Sequence, residues 1–253
     1  MKKISILGAT GSVGINTLKV IARNKSKYDV IALTSHKNYK KLARLALLFN
    51  CKYAVIGETK YFSSLKEELF GSSIKCLAGN QAICEVSSLN VDILISAIIG
   101  IAGLQPTFAS IGNTKILAIA NKESVISAGN LLLKKARLKK TKIIPLDSEH
   151  NAIYQILQNE NKGSIKNIVL TASGGPFLRM NKKYFKDITV ADALKHPNWK
   201  MGKKITIDSA TLVNKVIEVI EASILFNLNL KQIDIFVHPA SLIHGIVNFI
   251  DGS

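Results

Sequence analysis

The 253 residues are 47% apolar and 20% charged, the balance of a globular protein with enough chain for one large or two ordinary domains. Three scattered cysteines, Cys51, Cys76 and Cys84, fall in no CxxC or Cys/His spacing, which excludes a disulfide framework and a zinc knuckle, and no run approaches the roughly 18 apolar residues that cross a bilayer. The formal charge of +17 comes from lysines spread along the whole length, without a basic arm or an aromatic-interleaved motif, which speaks against nucleic acid; a surface that attracts phosphorylated small molecules is one reading, and a plain lysine-rich solvated surface accounts for most of the excess.

Met1-Lys2-Lys3 runs straight into Ile4 to Leu7, too short an apolar stretch for a secretory leader, and a cytoplasmic protein is expected. Residues 4–7 read as a buried strand, followed at once by Gly8-Ala9-Thr10-Gly11-Ser12-Val13-Gly14 and an amphipathic helix over 13–23. Three glycines three apart between a strand and a helix suit a phosphate-binding turn. Glycine permits positive φ and close approach of a pyrophosphate, and the helix start offers N–H groups and a partial positive charge. The spacing is GxxGxxG, not GxGxxG, so context carries more weight than pattern. A second strand, 30–34, ends in Thr34-Ser35-His36-Lys37-Asn38. NAD-binding proteins place a carboxylate there for the ribose 2′-hydroxyl. Here the stretch has none, and Lys37 with His36 suits the 2′-phosphate of NADPH; a basic surface loop is the alternative.

The alternation continues with a helix over 39–50, strands over 53–56 and 91–97, a helix over 104–111, a strand over 115–120, a helix over 124–138 and a strand over 142–146. This is the pattern of a doubly wound parallel sheet, Rossmann-like, with ligands at the carboxyl ends of its strands. A domain boundary is expected at residue 147, separating 1–147 from 148–253.

Asp147 and Glu149 flank Ser148 at the end of the last of these strands. On an extended backbone, residues i and i+2 share a face and can grip one hard cation; an N-cap with a first-turn acid, opening a helix over 152–157, suits the sequence equally. After a strand over 166–171, Ser173-Gly174-Gly175-Pro176-Phe177 fits either an anion nest or a tight turn. His196-Pro197-Asn198-Trp199-Lys200-Met201-Gly202 holds the only tryptophan, as a ligand cover or as a plug over the core. A strand is expected over 204–208, then a helix whose spacing puts Asn214, Lys215 and Glu218 together, where an ordinary Lys–Glu pair is the plainer reading. Beyond a strand over 232–238, His238 and His244, like His150, show no metal spacing and are expected to be structural.

Together, GATGSVG, LTSHKN, AIANKES, PLDSEHNAI, TASGGPF, HPNWKMGKKITIDSATLVNK with Glu218, and HPASLIHG resemble, in order and from end to end, the 1-deoxy-D-xylulose 5-phosphate reductoisomerase family. The resemblance implies an NADPH- and divalent-metal-dependent enzyme of the non-mevalonate isoprenoid pathway, a homodimer acting on a small sugar phosphate, with no nucleic-acid or membrane partner. It implies an NADPH-binding domain over 1–147 and an α+β catalytic domain over 148–253. That second domain is incomplete by the family pattern, which runs on through a strand at 249–253 into a C-terminal helical domain.

The same resemblance implies the site. Asp147, Glu149 and Glu218 would hold Mg²⁺ or Mn²⁺, with Co²⁺ a third option, and carboxylate-only ligation suits these better than zinc. Ser148, Glu149, Ser173, His196, Ser209, Asn214, Lys215 and Glu218 would bind the sugar phosphate, with Lys122 near the reacting carbons as a catalytic residue beside the three acids. Thr10, Gly11, Ser12, Val13, His36, Lys37, Asn38, Asn121, Glu123 and Gly202 would contact NADPH, and Trp199 and Met201 would sit on a closing flap. The implied chemistry is cleavage and re-formation of a carbon–carbon bond, then hydride transfer to the new aldehyde. His36 stands where the family commonly has glycine, and Val216 and Ala240 also depart from its pattern. Two competing expectations are a catalytically silent fragment that binds nucleotide or pairs with a full-length subunit, and a different NADP-dependent oxidoreductase for which the three acids are dispensable.

Overall fold

The computed structural model describes residues 1–158, 160, 162–195 and 202–253. The chain forms two compact units, Met1–Pro145 and Leu146–Ser253, dividing just ahead of the boundary expected at 147.

In chain order the first unit runs β1 (Lys2–Leu7), α1 (Ser12–Ala22), β2 (Tyr28–Ser35), α2 (Tyr39–Phe49), β3 (Tyr53–Ile56), α3 (Phe62–Glu68), β4 (Lys75–Ala78), α4 (Gly79–Ser87), β5 (Val91–Ser96), α5 (Leu104–Ser110), β6 (Thr114–Ile119), α6 (Lys122–Leu138) and β7 (Lys142–Pro145). The strands make one seven-stranded sheet in the order β4-β3-β2-β1-β5-β6-β7, every pair parallel. Ile6, Leu7, Ala32, Leu33, Val55, Leu94 and Leu117 are all buried, so successive strand residues are covered on both faces, as a helix-flanked parallel sheet requires. The chain winds outward from β1 to β4 and returns to β5 on the other side of β1. The crevice at the carboxyl ends of β1 and β5 is therefore where a doubly wound fold binds ligands.

The second unit contains α7 (Ser148–Ile156), β8 (Ile165–Ala172), α8 (Val190–Ala193), α9 (Lys203–Ala210), α10 (Val213–Phe226), β9 (Ile233–Val237) and β10 (Gly245–Phe249). Its sheet has the order β10-β8-β9, with β8 parallel to β9 and antiparallel to β10. Ile153 of α7 and Ala222 and Phe226 of α10 pack on Ile168, Leu170, Ile233 and Val247 of that sheet. The result is a helix layer on a mixed sheet, an α+β unit.

One expected strand is a helix. Lys204-Ile205-Thr206-Ile207-Asp208 alternates polar and apolar residues, yet lies in α9. Gly202 caps that helix from an extended conformation, Thr206 donates its N–H and its hydroxyl to the Gly202 carbonyl, each at 3.0 Å, and Lys204 reaches Asp208 one turn on at 2.7 Å. These local contacts override a five-residue period too short to decide between helix and strand. At the other end, β10 closes at Phe249, whose N–H donates to the Ser253 carbonyl at 2.9 Å.

Candidate cofactor cleft and metal centre

The turn after β1 is built by glycines with different duties. Gly8 has φ +80°, and a Cβ there would lie 2.5 Å from the Ala97 carbonyl oxygen; a Cβ on Gly14 would lie 2.5 Å from the Ala9 Cα. Packing alone demands glycine at both. Gly11 differs, because its Cβ would meet only the Gly8 carbonyl oxygen, at 3.4 Å. It is the N-cap of α1, with no side chain capping the first turn and no acid in it, so this helix start suits an anion. Thr34 Oγ1 accepts the Gly8 N–H at 3.0 Å and the Thr10 and Ser35 hydroxyls meet at 2.8 Å, which locks the turn to the end of β2. Ser12 is exposed and Val13 half-buried in the first turn of α1.

A cleft of 620 Å³ opens beside this turn, lined by Gly8, Thr10, Gly11 and His36 on one side and by apolar residues including Ile98 and Ile101 on the other. Asn121 shapes that apolar wall. Its carboxamide nitrogen donates to the carbonyls of Ile98 and of Gly100 (2.8 Å), while its oxygen accepts the Ser124 N–H at 2.6 Å and caps α6. Lys122 and Glu123 come next in the chain, half-buried, in the first turn of α6.

At the end of β2 Lys37 is exposed and the Asn38 side chain caps α2 by accepting the Lys41 N–H at 3.1 Å. A carboxylate also stands here, contrary to the sequence reading, but it comes from the turn after β3. Glu58 Oε1 lies 3.2 Å from His36 Nε2 and its Oε2 lies 2.8 Å from Lys60 Nζ. The Lys60 hydrogen bond, more than any other effect, holds the Glu58 carboxyl below the usual range. The parallel register that sets Ser35 beside Ile56 is the signal that brings residue 58 to residue 36. Lys41 also escaped notice in the sequence; its ammonium donates to the Thr10 carbonyl at 3.0 Å.

In the second unit, Asp147 caps α7 by accepting the N–H groups of Glu149 (3.1 Å) and His150 (3.3 Å). The two acids therefore meet as a cap and a first-turn residue, not as i and i+2 on an extended strand. Capping does not prevent clustering: carboxylate oxygens of Asp147, Glu149 and Glu218 of α10 all lie within 4.8 Å of one another. Lys215 Nζ donates to Glu149 Oε1 at 3.1 Å and to Glu218 Oε2, Asn214 Nδ2 to Glu218 Oε1 at 2.5 Å, and Ser148 Oγ to Glu149 Oε2 at 2.5 Å.

Behind these acids lies His150, fully buried, with Nδ1 3.2 Å from Asp147 Oδ1 and 3.3 Å from Glu221 Oε2. Glu221 and Glu218 are each 1% exposed and Lys215 5%. Glu221 was missed in the sequence, although an acid one turn beyond Glu218 on an apolar helix is itself a warning of a buried charge. Glu218 and Glu221 are buried beside Asp147 and Glu149, and burial penalises carboxylate charge unless cations share it. Hard oxygen donors of this kind fit Mg²⁺ or Mn²⁺.

Ser173 leads into Gly174 (φ +89°) and Gly175 (φ +70°), and a Cβ on Gly175 would come within 2.8 Å of the Ser209 carbonyl oxygen. That close approach brings the turn after β8 against the end of α9. Val216 and Ala240 are exposed. His196, Trp199 and Met201 lie outside the described residues.

The profile of 1-deoxy-D-xylulose 5-phosphate reductoisomerase matches residues 4–129, and that of the enzyme's C-terminal domain matches 143–226. A protein of that name from Buchnera aphidicola subsp. Schizaphis graminum is 44% identical, over 100% of this chain and 67% of its own length. This chain belongs to the 1-deoxy-D-xylulose 5-phosphate reductoisomerase family. Another member, from Wolbachia pipientis subsp. Culex pipiens, is 49% identical over all of this chain, which spans 64% of that protein's length. A crystal structure of DOX-P reductoisomerase in complex with NADPH, fosmidomycin and magnesium matches with a TM-score of 0.95 at 40% identity, covering 100% of this chain and 65% of that one.

Proposed function

We propose that the chain carries the family's reaction: 1-deoxy-D-xylulose 5-phosphate is rearranged by breaking and re-forming a carbon–carbon bond, and the resulting aldehyde takes a hydride from NADPH and a proton to give 2-C-methyl-D-erythritol 4-phosphate. The observation that carries this is the convergence of Asp147, Glu149 and Glu218 in a chain whose first unit holds a dinucleotide-type turn and cleft.

In the first unit, Thr10, Gly11, Ser12 and Val13 present the start of α1 to the pyrophosphate, while His36, which lines the cleft, borders the adenosine ribose, and Lys37 and Asn38 join the NADPH set by resemblance. Asn121 holds the loop at Ile98 and Gly100 that walls the cleft, with Glu123 and Lys122 beside it at the start of α6. Gly202 is carried into the NADPH set by resemblance. In the second unit, Asp147, Glu149 and Glu218 hold the cation, which supplies Lewis-acid polarisation and a template for two substrate oxygens when bound. Magnesium accompanies the matched crystal structure, and the same oxygen donors accept Mn²⁺ or Co²⁺. Lys215, fixed among these carboxylates, offers its charge to an anionic substrate oxygen, and Ser148, Asn214, Ser173 and Ser209 offer hydrogen bonds.

The protein is read as a cytoplasmic homodimer; among the described residues no helix is long and apolar enough to cross a membrane, and edge strand β9 exposes Ile235, Phe236 and Val237. The test is NADPH oxidation with the sugar phosphate and a divalent cation. It should need both and be lost in Glu218→Gln. Oxidation that persists without the cation overturns the proposal, and NADPH binding without turnover would identify a silent nucleotide-binding chain.

A further inference from the structure

We infer that Lys41 is the residue by which this chain selects NADPH over NADH, a role that rests on the dinucleotide reading of the first unit. Lys41 lies in the first turn of α2, half-buried, and its ammonium is held 3.0 Å from the carbonyl oxygen of Thr10 in the glycine turn. That point is the seam between the turn after β1 and the end of β2, locked together by the Thr10–Ser35 hydroxyl contact. A doubly wound fold receives the pyrophosphate on one side of this seam and the adenosine ribose on the other. The only chemical difference between the two cofactors, a 2′-phosphate, falls on the ribose side.

The charges around the seam are not equivalent. Glu58 faces both His36 and Lys60, at 3.2 and 2.8 Å, so the Lys60 ammonium is already matched by a carboxylate that also meets the His36 ring. Lys41 has no carboxylate within ion-pair distance among the described residues, and the Thr10 carbonyl takes one of its three N–H donors. Lys37 is exposed, so its charge must be ordered out of water before it can help, whereas the Lys41 ammonium is already anchored. The plain structural alternative is a staple from α2 to the turn. A staple would matter equally for both cofactors, because both carry the pyrophosphate.

Fluorescence titration of the whole chain with NADPH and with NADH separates the two. Lys41→Met should weaken NADPH by about ten- to a hundredfold, the worth of a charge-assisted hydrogen bond, while leaving NADH within about twofold. Lys41→Arg should keep the preference. Glu58→Gln, which removes the opposing charge, should tighten NADPH and leave NADH unchanged. Retained NADH binding also reports that the variant is folded. Equal weakening of both cofactors by Lys41→Met, or no change in NADPH, overturns the inference. Loss of the preference in Lys37→Met but not in Lys41→Met does so as well. A wild-type chain that binds neither cofactor overturns instead the dinucleotide reading on which the inference stands.

Discussion

The imidazole Nε2 of His150 lies 2.9 Å from the backbone carbonyl oxygen of Glu218, tying the start of α7 to the middle of α10 through a fully buried ring. A carbonyl can only accept, so Nε2 carries the proton, and the ring's other nitrogen faces Asp147 and Glu221. His150 therefore sets the spacing of two of the three acids without belonging to the cluster itself. In His150→Leu, Mn²⁺ affinity measured by titration should fall by roughly ten- to a hundredfold, as when the hydrogen-bonded support of a metal ligand is removed. Wild-type affinity in this variant would contradict the role.

The three glycines of the first turn should fail in different ways. Gly14→Ala drives a Cβ to 2.5 Å from the Ala9 Cα, and Gly8→Ala adds a φ of +80° to a similar clash, so both should lower the melting temperature sharply. Gly11→Ala meets nothing closer than 3.4 Å and should melt close to wild type, yet bind NADPH more weakly because its methyl group enters the ligand's side of the turn. A Gly11→Ala variant with unaltered NADPH affinity would remove the turn from the cofactor site.

Burial pushes the Cys51 thiol up to about 12 from 9.0. A pKa raised in the folded state stabilises fully below the unfolded value and is lost as pH rises through the folded one, so this contribution should decay from about pH 9 towards 12. Cys51→Ala should flatten that alkaline decline in urea-unfolding midpoints. Asp92 has the opposite sign. The Lys115 hydrogen bond, and after it the Lys3 N–H, lowers its pKa, so its contribution is present above the unfolded value of 3.8 and is lost as pH falls through the folded one. Asp92→Asn should lose stability at neutral pH and converge with wild type in acid.

Cys84 lines the cleft and Cys76 does not, although both are half-buried and burial raises both thiols. Alkylation of each should be slow at neutral pH, because the thiolate is the reactive form. Saturating NADPH should slow it further at Cys84 alone, as peptide mass mapping would show. Equal protection of Cys76 would argue against binding in this cleft.

The parts legible in the sequence were those fixed by local pattern. Apolar runs such as Ile4 to Leu7 and Val91 to Ser96 announce strands buried on both faces, and the glycine turn marks where the first of them ends and a helix begins. The four-residue edge strand Lys75–Ala78, only partly buried, gives no such signal, and the alternation at 204–208 gave a false one. Asp147 and Glu149 were visible as a pair, and of the two geometries that suited the sequence equally, strand neighbours or an N-cap with a first-turn acid, the fold adopts the second. Glu58 and Lys41 gain meaning only from tertiary register, which brings residue 58 to residue 36 and residue 41 to residue 10, whereas Glu221 carried a signal as an acid on an apolar helix and the fold supplies its neighbour, His150.

The most direct measurement is the identity of the product. The chain incubated with 1-deoxy-D-xylulose 5-phosphate, NADPH and Mg²⁺ should yield 2-C-methyl-D-erythritol 4-phosphate by NMR, and addition of a chelator should abolish it. A different reduced product, or the same product formed equally well in the chelator, would contradict the assignment of Asp147, Glu149 and Glu218 to a cation that the reaction requires.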